Sequence, residues 1–134
     1  MIRISFDVDG TLLDRQDVKD LAKELSERND VELWIHTRRF VDSFEATEVM
    51  TLAKYFNIPK ERVVFTNRAY KGQSLFENKI HIHIDDDPAE AALVVMDSTY
   101  VILQGRLFNN PNYDWISMFW NTFKIVYEQH NSND

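Results

Sequence analysis

Ile2-Arg3-Ile4-Ser5-Phe6-Asp7-Val8-Asp9-Gly10-Thr11-Leu12 is the stretch from which the fold is read. Over residues 2–8 it alternates. Ile2, Ile4, Phe6 and Val8 fall on one face and Arg3, Ser5 and Asp7 on the other, the period-two pattern of a strand. Gly10 then lets the backbone turn without a Cβ penalty. Working outward, Val18, Leu21, Ala22 and Leu25 recur at helical spacing and predict an amphipathic helix over 17–28. A second strand is expected over 31–36. A second helix follows over 41–56, with Phe44, Thr47, Leu52, Tyr55 and Phe56 near its buried side and Asn57-Ile58-Pro59 as its end. Short strands are expected over 62–65, 80–84 and 100–103. Pro88 suits the first turn of a short helix reaching about Val94. Asn110-Pro111-Asn112 breaks the chain before a last helix over about 113–129, and 131–134 reads as a frayed tail. Strands separated by helical stretches argue for βαβ units, hence an α/β fold with a mainly parallel five-stranded sheet and helices on both faces. With no internal repeat or linker, residues 1–130 read as one domain.

The 134 residues suit a single domain with an ordinary core. Hydrophobic residues at 44% and charged ones at 28% argue against wholesale disorder. The absence of cysteine excludes disulfides, thiolate zinc sites and a cysteine nucleophile. No apolar run approaches the roughly 18–20 residues of a membrane helix. The first residues enter the strand pattern with no signal-peptide layout, so a cytoplasmic location and no membrane partner are expected. Fifteen Lys and Arg against 22 Asp and Glu give a net charge of −7. That balance disfavours a broad nucleic-acid footprint, yet it permits a small anionic substrate held by a few basic groups or a metal ion.

In a parallel sheet, functional groups collect where strands end at their carboxyl edge. The first strand runs into Asp7 and Asp9, which project from the same face if the strand persists. The second ends in His36-Thr37-Arg38-Arg39 and the fourth in Ile84-Asp85-Asp86-Asp87-Pro88. Carboxylates so clustered stay ionised together only when a cation compensates them. Oxygen donors without cysteine favour a hard ion, Mg²⁺ above all, which sits between carboxylates and phosphate. Lys71, in Tyr70-Lys71-Gly72-Gln73-Ser74, lies in the loop region before the fourth strand and can hold a phosphoryl group or a neighbouring aspartate. Singly, such aspartates more often cap turns and helices. Jointly, in this order and spacing, they point to phosphoryl chemistry.

Ile4 to Leu12 resembles the first motif of the haloacid dehalogenase superfamily, hydrophobic-hydrophobic-Asp-x-Asp-Gly-Thr. Trp34-Ile35-His36-Thr37 is similar to its second motif, Lys71 to the third-motif lysine, and Ile82-His83-Ile84-Asp85-Asp86 to the acidic fourth. The resemblance implies a three-layer Rossmann-like fold and an Mg²⁺-dependent phosphomonoester hydrolase. Asp7 would be the nucleophile that becomes an aspartyl-phosphate, and Asp9 the acid and base. Thr37 and Lys71 would bind phosphoryl oxygens. Asp7, the carbonyl of Asp9 and a fourth-motif aspartate would hold the metal. By analogy with members reading Asp-Asp-x-Pro, Asp86 would be the direct ligand, Asp85 its supporter, and Asp87 the cap of the helix at Pro88. The gaps between motifs leave no room for a cap domain. An open site suits phosphate on an extended substrate, and with Arg38 and Arg39 it points to a nucleotide or nucleic-acid terminal phosphate. Phosphoproteins, small metabolites and a catalytically silent phosphate-binding module are the alternatives. In a receiver domain the Lys lies downstream of the phosphoacceptor and Thr, whereas Lys71 precedes the Asp85–Asp87 cluster and the third strand ends in Phe65-Thr66-Asn67 without the expected aspartate. No phosphate-binding Gly-rich loop of a kinase occurs.

Other residues carry two readings each. Arg38 and Arg39 could grip a substrate phosphate or base, or be a solvated pair at a helix start. His81 and His83 would suit a metal pair but read better as ordinary face residues, and His36 points away from the site by alternation. Arg68, Lys79 and Arg106 could add positive rim potential, against a plain surface role. In the last helix Ile116, Phe119, Phe123 and Val126 form a core stripe. Trp115, Met118 and Ile125 fall outside it, which raises an oligomer contact through this helix as the alternative to core packing.

Overall fold

The computed structural model describes residues 1–92, 99–104 and 113–132. Five strands, β1 (Ile2–Phe6), β2 (Val31–Thr37), β3 (Val63–Phe65), β4 (Ile82–Asp85) and β5 (Tyr100–Leu103), form one sheet in the order β3-β2-β1-β4-β5. All neighbours are parallel. The helices are α1 (Gln16–Ser26), α2 (Glu45–Tyr55), α3 (Gly72–Glu77), α4 (Pro88–Ala92) and α5 (Trp115–Ser132).

Strand alternation sorts the two faces of the sheet. Ile2, Ile4 and Phe6 of β1, Leu33 and Ile35 of β2, and Ile82 and Ile84 of β4 join one buried cluster with side chains of α1, α2 and α5. On the opposite face Trp34 packs with Leu75 of α3 and Ile80. That second face also buries Ser5, His36 and His83 completely. The result is a three-layer Rossmann-like arrangement, as the strand and helix order predicts. Among the described residues no helix is long and apolar enough to cross a membrane.

Several details differ from the sequence reading. β1 ends at Phe6, and residues 8–12 form one wide turn, closed by Leu12 N–H on the Asp7 carbonyl (3.1 Å) and Leu13 N–H on that of Val8 (3.0 Å). α2 begins at Glu45, and its inner face is Ala46, Val49 and Ala53, continued by Phe56. Phe44 is 94% exposed and Tyr55 is exposed too, since at 100° per residue both lie about half a turn from Ala46 and Ala53. Lys71 directly precedes α3, a helix too short to show a period in sequence. α4 is described to Ala92; Val94, Arg106 and the break at 110–112 lie outside the described residues. Trp115 is buried, its indole N–H bonded to Asp17 of α1 at 2.9 Å, whereas Met118 and Ile125 are exposed. The last helix continues through Ser132, so the first two residues of the expected tail are helical; 133 and 134 lie outside the described residues.

After β1 the chain winds towards β3, then crosses back to place β4 on the other side of β1. The connections leaving β1 and β4 therefore diverge, and a crevice opens between them at the carboxyl edge.

Candidate functional site

Asp7, Lys71 and Asp85 meet at that crevice. Lys71 is 2% exposed, and its Nζ donates to Asp7 Oδ1 and to Asp85 Oδ2, each at 2.6 Å. The placement follows from topology: Asp7 is the first residue past β1, Asp85 the last of β4, and Lys71 comes in ahead of α3 on the face they share. Asp7 Oδ2 accepts the Thr11 hydroxyl at 3.1 Å. Asp85 is saturated. Its Oδ2 also faces His83 Nε2 at 2.7 Å, and its Oδ1 accepts the N–H groups of Asp86 (2.8 Å) and Asp87 (3.0 Å). Carboxylate oxygens of Asp7, Asp85 and Asp86 lie within 4.8 Å of one another. Gly10 makes room for this: at φ +73° it occupies the left-handed region, and a Cβ there would fall 2.1 Å from Asp86 Oδ2. Asp87 Oδ1 accepts the Ala89 N–H at 2.9 Å and caps α4.

The electrostatics are those of an acidic pocket around one cation. Burial pushes the Asp7 carboxyl up to about 8, opposed by the Lys71 ammonium and reinforced by Asp85. Burial acts to raise Asp85 as well, but His83 and Lys71 hold it well below the usual carboxylate range. Burial also raises Asp86. Lys71 stays above its ordinary value because the charges of Asp7 and Asp85 outweigh its desolvation. Glu90 is 1% exposed; its Oε2 accepts the Lys71 backbone N–H at 3.0 Å, and its Oε1 has no hydrogen-bond partner among the described residues. Two carboxylates thus hold the ammonium directly, Asp86 lies beside them, and Glu90 holds the Lys71 backbone. Hard oxygen donors in this arrangement fit a small divalent cation such as Mg²⁺, with Asp7 and Asp86 as the carboxylates able to face it.

Other predicted residues sit elsewhere. Asp9 does not join the cluster. Its side chain is 59% exposed and held by Arg39 in a bidentate pair (Nε 3.0 Å, Nη2 2.6 Å), whose hydrogen bonds keep it below the usual range. Arg39 is otherwise tied to α2, through the Glu45 carbonyl and Glu48 Oε1, both at 2.8 Å. Its donors serve the protein. Thr37 is buried, its hydroxyl oxygen accepting the Arg39 N–H at 3.3 Å. Arg38 lines the crevice with Asp7, Asp9, Lys71 and Asp86.

Two residues, Glu90 and Gln104, escaped the sequence reading, and a third, His83, was read there only as an ordinary face residue. His83 was legible in principle, because positions 83 and 85 alternate onto one face of β4. It is the near end of a buried row on the second face: Asn78 Nδ2 to His36 Nε2 (3.2 Å), His36 Nδ1 to Ser5 Oγ (2.8 Å), and Ser5 Oγ to His83 Nδ1 (3.1 Å). Burial pushes His36 down to about 3 and also lowers His83, against the pull of Asp85. His81 has no part in this row; its Nδ1 accepts the Arg3 N–H at 2.9 Å. Glu90 stands at the third position after the cap Asp87, the spacing of a capping box, but reaches across to Lys71 instead. Gln104 follows β5, and its Nε2 donates to the Gly10 carbonyl (2.6 Å) and the Thr11 hydroxyl (3.1 Å), pinning the turn beneath Asp7. Nothing in sequence marks it.

Comparison with protein-family models, with curated proteins and with solved structures returned no match.

Proposed function

We propose that this chain is an Mg²⁺-dependent phosphomonoester hydrolase of the haloacid dehalogenase type, working through an aspartyl-phosphate on Asp7. The observation that carries the reading is the buried Lys71 ammonium bridging Asp7 and Asp85, with Asp86 beside Gly10, at the switch point of a parallel sheet. The four resembling motifs fall in family order, and the first, second and fourth stand at strand ends with Lys71 between Asp7 and Asp85.

An oxygen of ionised Asp7 attacks phosphorus, the bond to the leaving oxygen breaks, and Asp9, freed from Arg39 and protonated from solvent, gives that oxygen a proton. Water then attacks phosphorus, Asp9 takes the water's proton, and the bond to Asp7 breaks to release phosphate. Lys71 neutralises Asp7 and offers donors to phosphoryl oxygens. Thr37 keeps its hydroxyl proton for the same purpose, since only its oxygen is engaged. Held by Asp7, Asp86 and the Asp9 carbonyl, Mg²⁺ would screen the phosphoryl charge from the carboxylates. Asp9 has first to leave Arg39. That clasp also favours a second reading, a phosphate-binding module without turnover, because it withdraws the acid–base group.

Phosphate release from an aryl phosphate and from nucleoside monophosphates, with Mg²⁺, with EDTA and with Asp7→Asn, decides between them. Release that EDTA and Asp7→Asn each reduce by several orders of magnitude is expected. Silence towards every substrate, with beryllium fluoride still binding at Asp7, would leave the module.

A further inference from the structure

The rim of the crevice carries a feature that phosphoryl transfer leaves unused. Residues 38–44 leave β2 and residues 66–71 leave β3, and the two loops are laced together. Thr66 N–H bonds the Thr37 carbonyl at 2.8 Å, Arg68 N–H that of Arg38 at 2.6 Å, and Val41 N–H the Asn67 side chain at 3.0 Å. Arg38 Nε and Nη2 return to the Arg68 carbonyl at 3.2 and 2.9 Å. Asn67 and Arg68 both take positive φ, +52° and +73°, a conformation that L-residues keep only where surrounding contacts impose it. This fixed frame sets the Arg38 guanidinium 4.6 Å from the centre of the Tyr70 ring and that of Arg68 5.6 Å from Phe40. Tyr70 is 49% exposed and Phe40 46%, so neither ring is spent on the core. Tyr70 is bonded to Lys71 and Arg38 to Thr37, each one residue from a group assigned to the phosphate.

We propose that this rim binds the base of a nucleoside phosphate, with Tyr70 and Arg38 as the stacking platform. Flat guanidinium and phenol faces accept any purine or pyrimidine, and the positive charge of Arg38 complements the phosphate ester. The net charge of −7 opposes a long polyanion, so the ligand is a mononucleotide or the terminal nucleotide of a short single strand. The substrate class rests on the hydrolase reading; the binding does not.

The test pairs two readouts. Calorimetry with Asp7→Asn in Mg²⁺ compares adenosine 5′- and 3′-monophosphate and a 5′-phosphorylated trinucleotide with ribose 5-phosphate and glycerol phosphate. Turnover of the same compounds is followed with the wild type, Tyr70→Ala and Tyr70→Phe. The better adenosine phosphate should exceed both base-free phosphates at least about fivefold in affinity and kcat/KM, with Tyr70→Ala bringing them within twofold and Tyr70→Phe restoring the gap. A trinucleotide preferred over the mononucleotide would make the strand end the source, and the reverse the free nucleotide. Equal handling of nucleotides and base-free phosphates overturns the platform and keeps the hydrolase. Nucleotide binding without turnover overturns the hydrolase and keeps the platform. A preference that Tyr70→Ala leaves intact also overturns the platform.

Discussion

Gly10 is where backbone conformation and the acidic cluster constrain each other. Its φ of +73° alone costs an L-residue about 1–2 kcal/mol, and a Cβ would land on the Asp86 carboxylate. Gly10→Ala is therefore expected to lose about 2 kcal/mol in urea unfolding and to weaken the proposed Mg²⁺-dependent turnover by displacing Asp86. An alanine variant within about 0.5 kcal/mol of the parent would show that the turn relaxes freely. At this scale the aspartates and Lys71 were legible because each stands in a short local pattern. His83 was legible only through its alternation with Asp85, and Gln104 was not, because its contact is to a turn 94 residues away in the chain. Gln104 matters only since β5 ends where the turn at Gly10 passes, a juxtaposition no local spacing encodes. Asp9 and Arg39 show the reverse: their positions were read, but not that they would clasp each other.

Between elements, the Asp17 side chain joins the start of α1 to the start of α5. It takes two hydrogen bonds from Arg15 and one from Trp115, and these hold its carboxyl down at about 2, Arg15 contributing most. A lowered folded value means stability that is present above the ordinary 3.8 and lost as pH falls towards 2. Because the side chain is 36% exposed, solvent screening discounts the effect, and Asp17→Asn should cost about 1 kcal/mol at pH 7. The gap between variant and parent should shrink between about pH 4 and pH 2 in urea titrations. A gap constant with pH would mean that Asp17 works by packing. Periodicity found α1, whose four inward residues are all apolar and larger than Gly. It misphased α2 because small Ala46 and Ala53 face inward while bulky Phe44 and Tyr55 face out. α3 contributes one fully buried side chain, Leu75, too little to show a face.

At the scale of the whole molecule, the parallel sheet gathers acidic groups that the chain would otherwise keep apart. Asp7 comes from the end of β1, Asp85 and Asp86 from the end of β4 and Glu90 from α4, and Lys71 lies among them. Folding therefore brings carboxylates together, and a divalent cation bound only by the folded state should stabilise it. At 100 times its dissociation constant, Mg²⁺ is expected to add about 2.7 kcal/mol. For a chain of 134 residues that raises the thermal midpoint by roughly 8–13 °C. NaCl at equal ionic strength should do little, since buried charges are poorly screened. Asp86→Asn should remove the part specific to Mg²⁺, because Asp85 has its oxygens committed to Lys71, His83 and two backbone N–H groups. If the midpoint moves equally in NaCl, the cluster is held by Lys71 alone and the cation has no place in it. If it moves with Mg²⁺ in both wild type and Asp86→Asn, then Asp7 and the turn at Gly10 hold the ion without Asp86. The three responses differ in kind, so one set of melting curves in two salts separates them before any substrate is known.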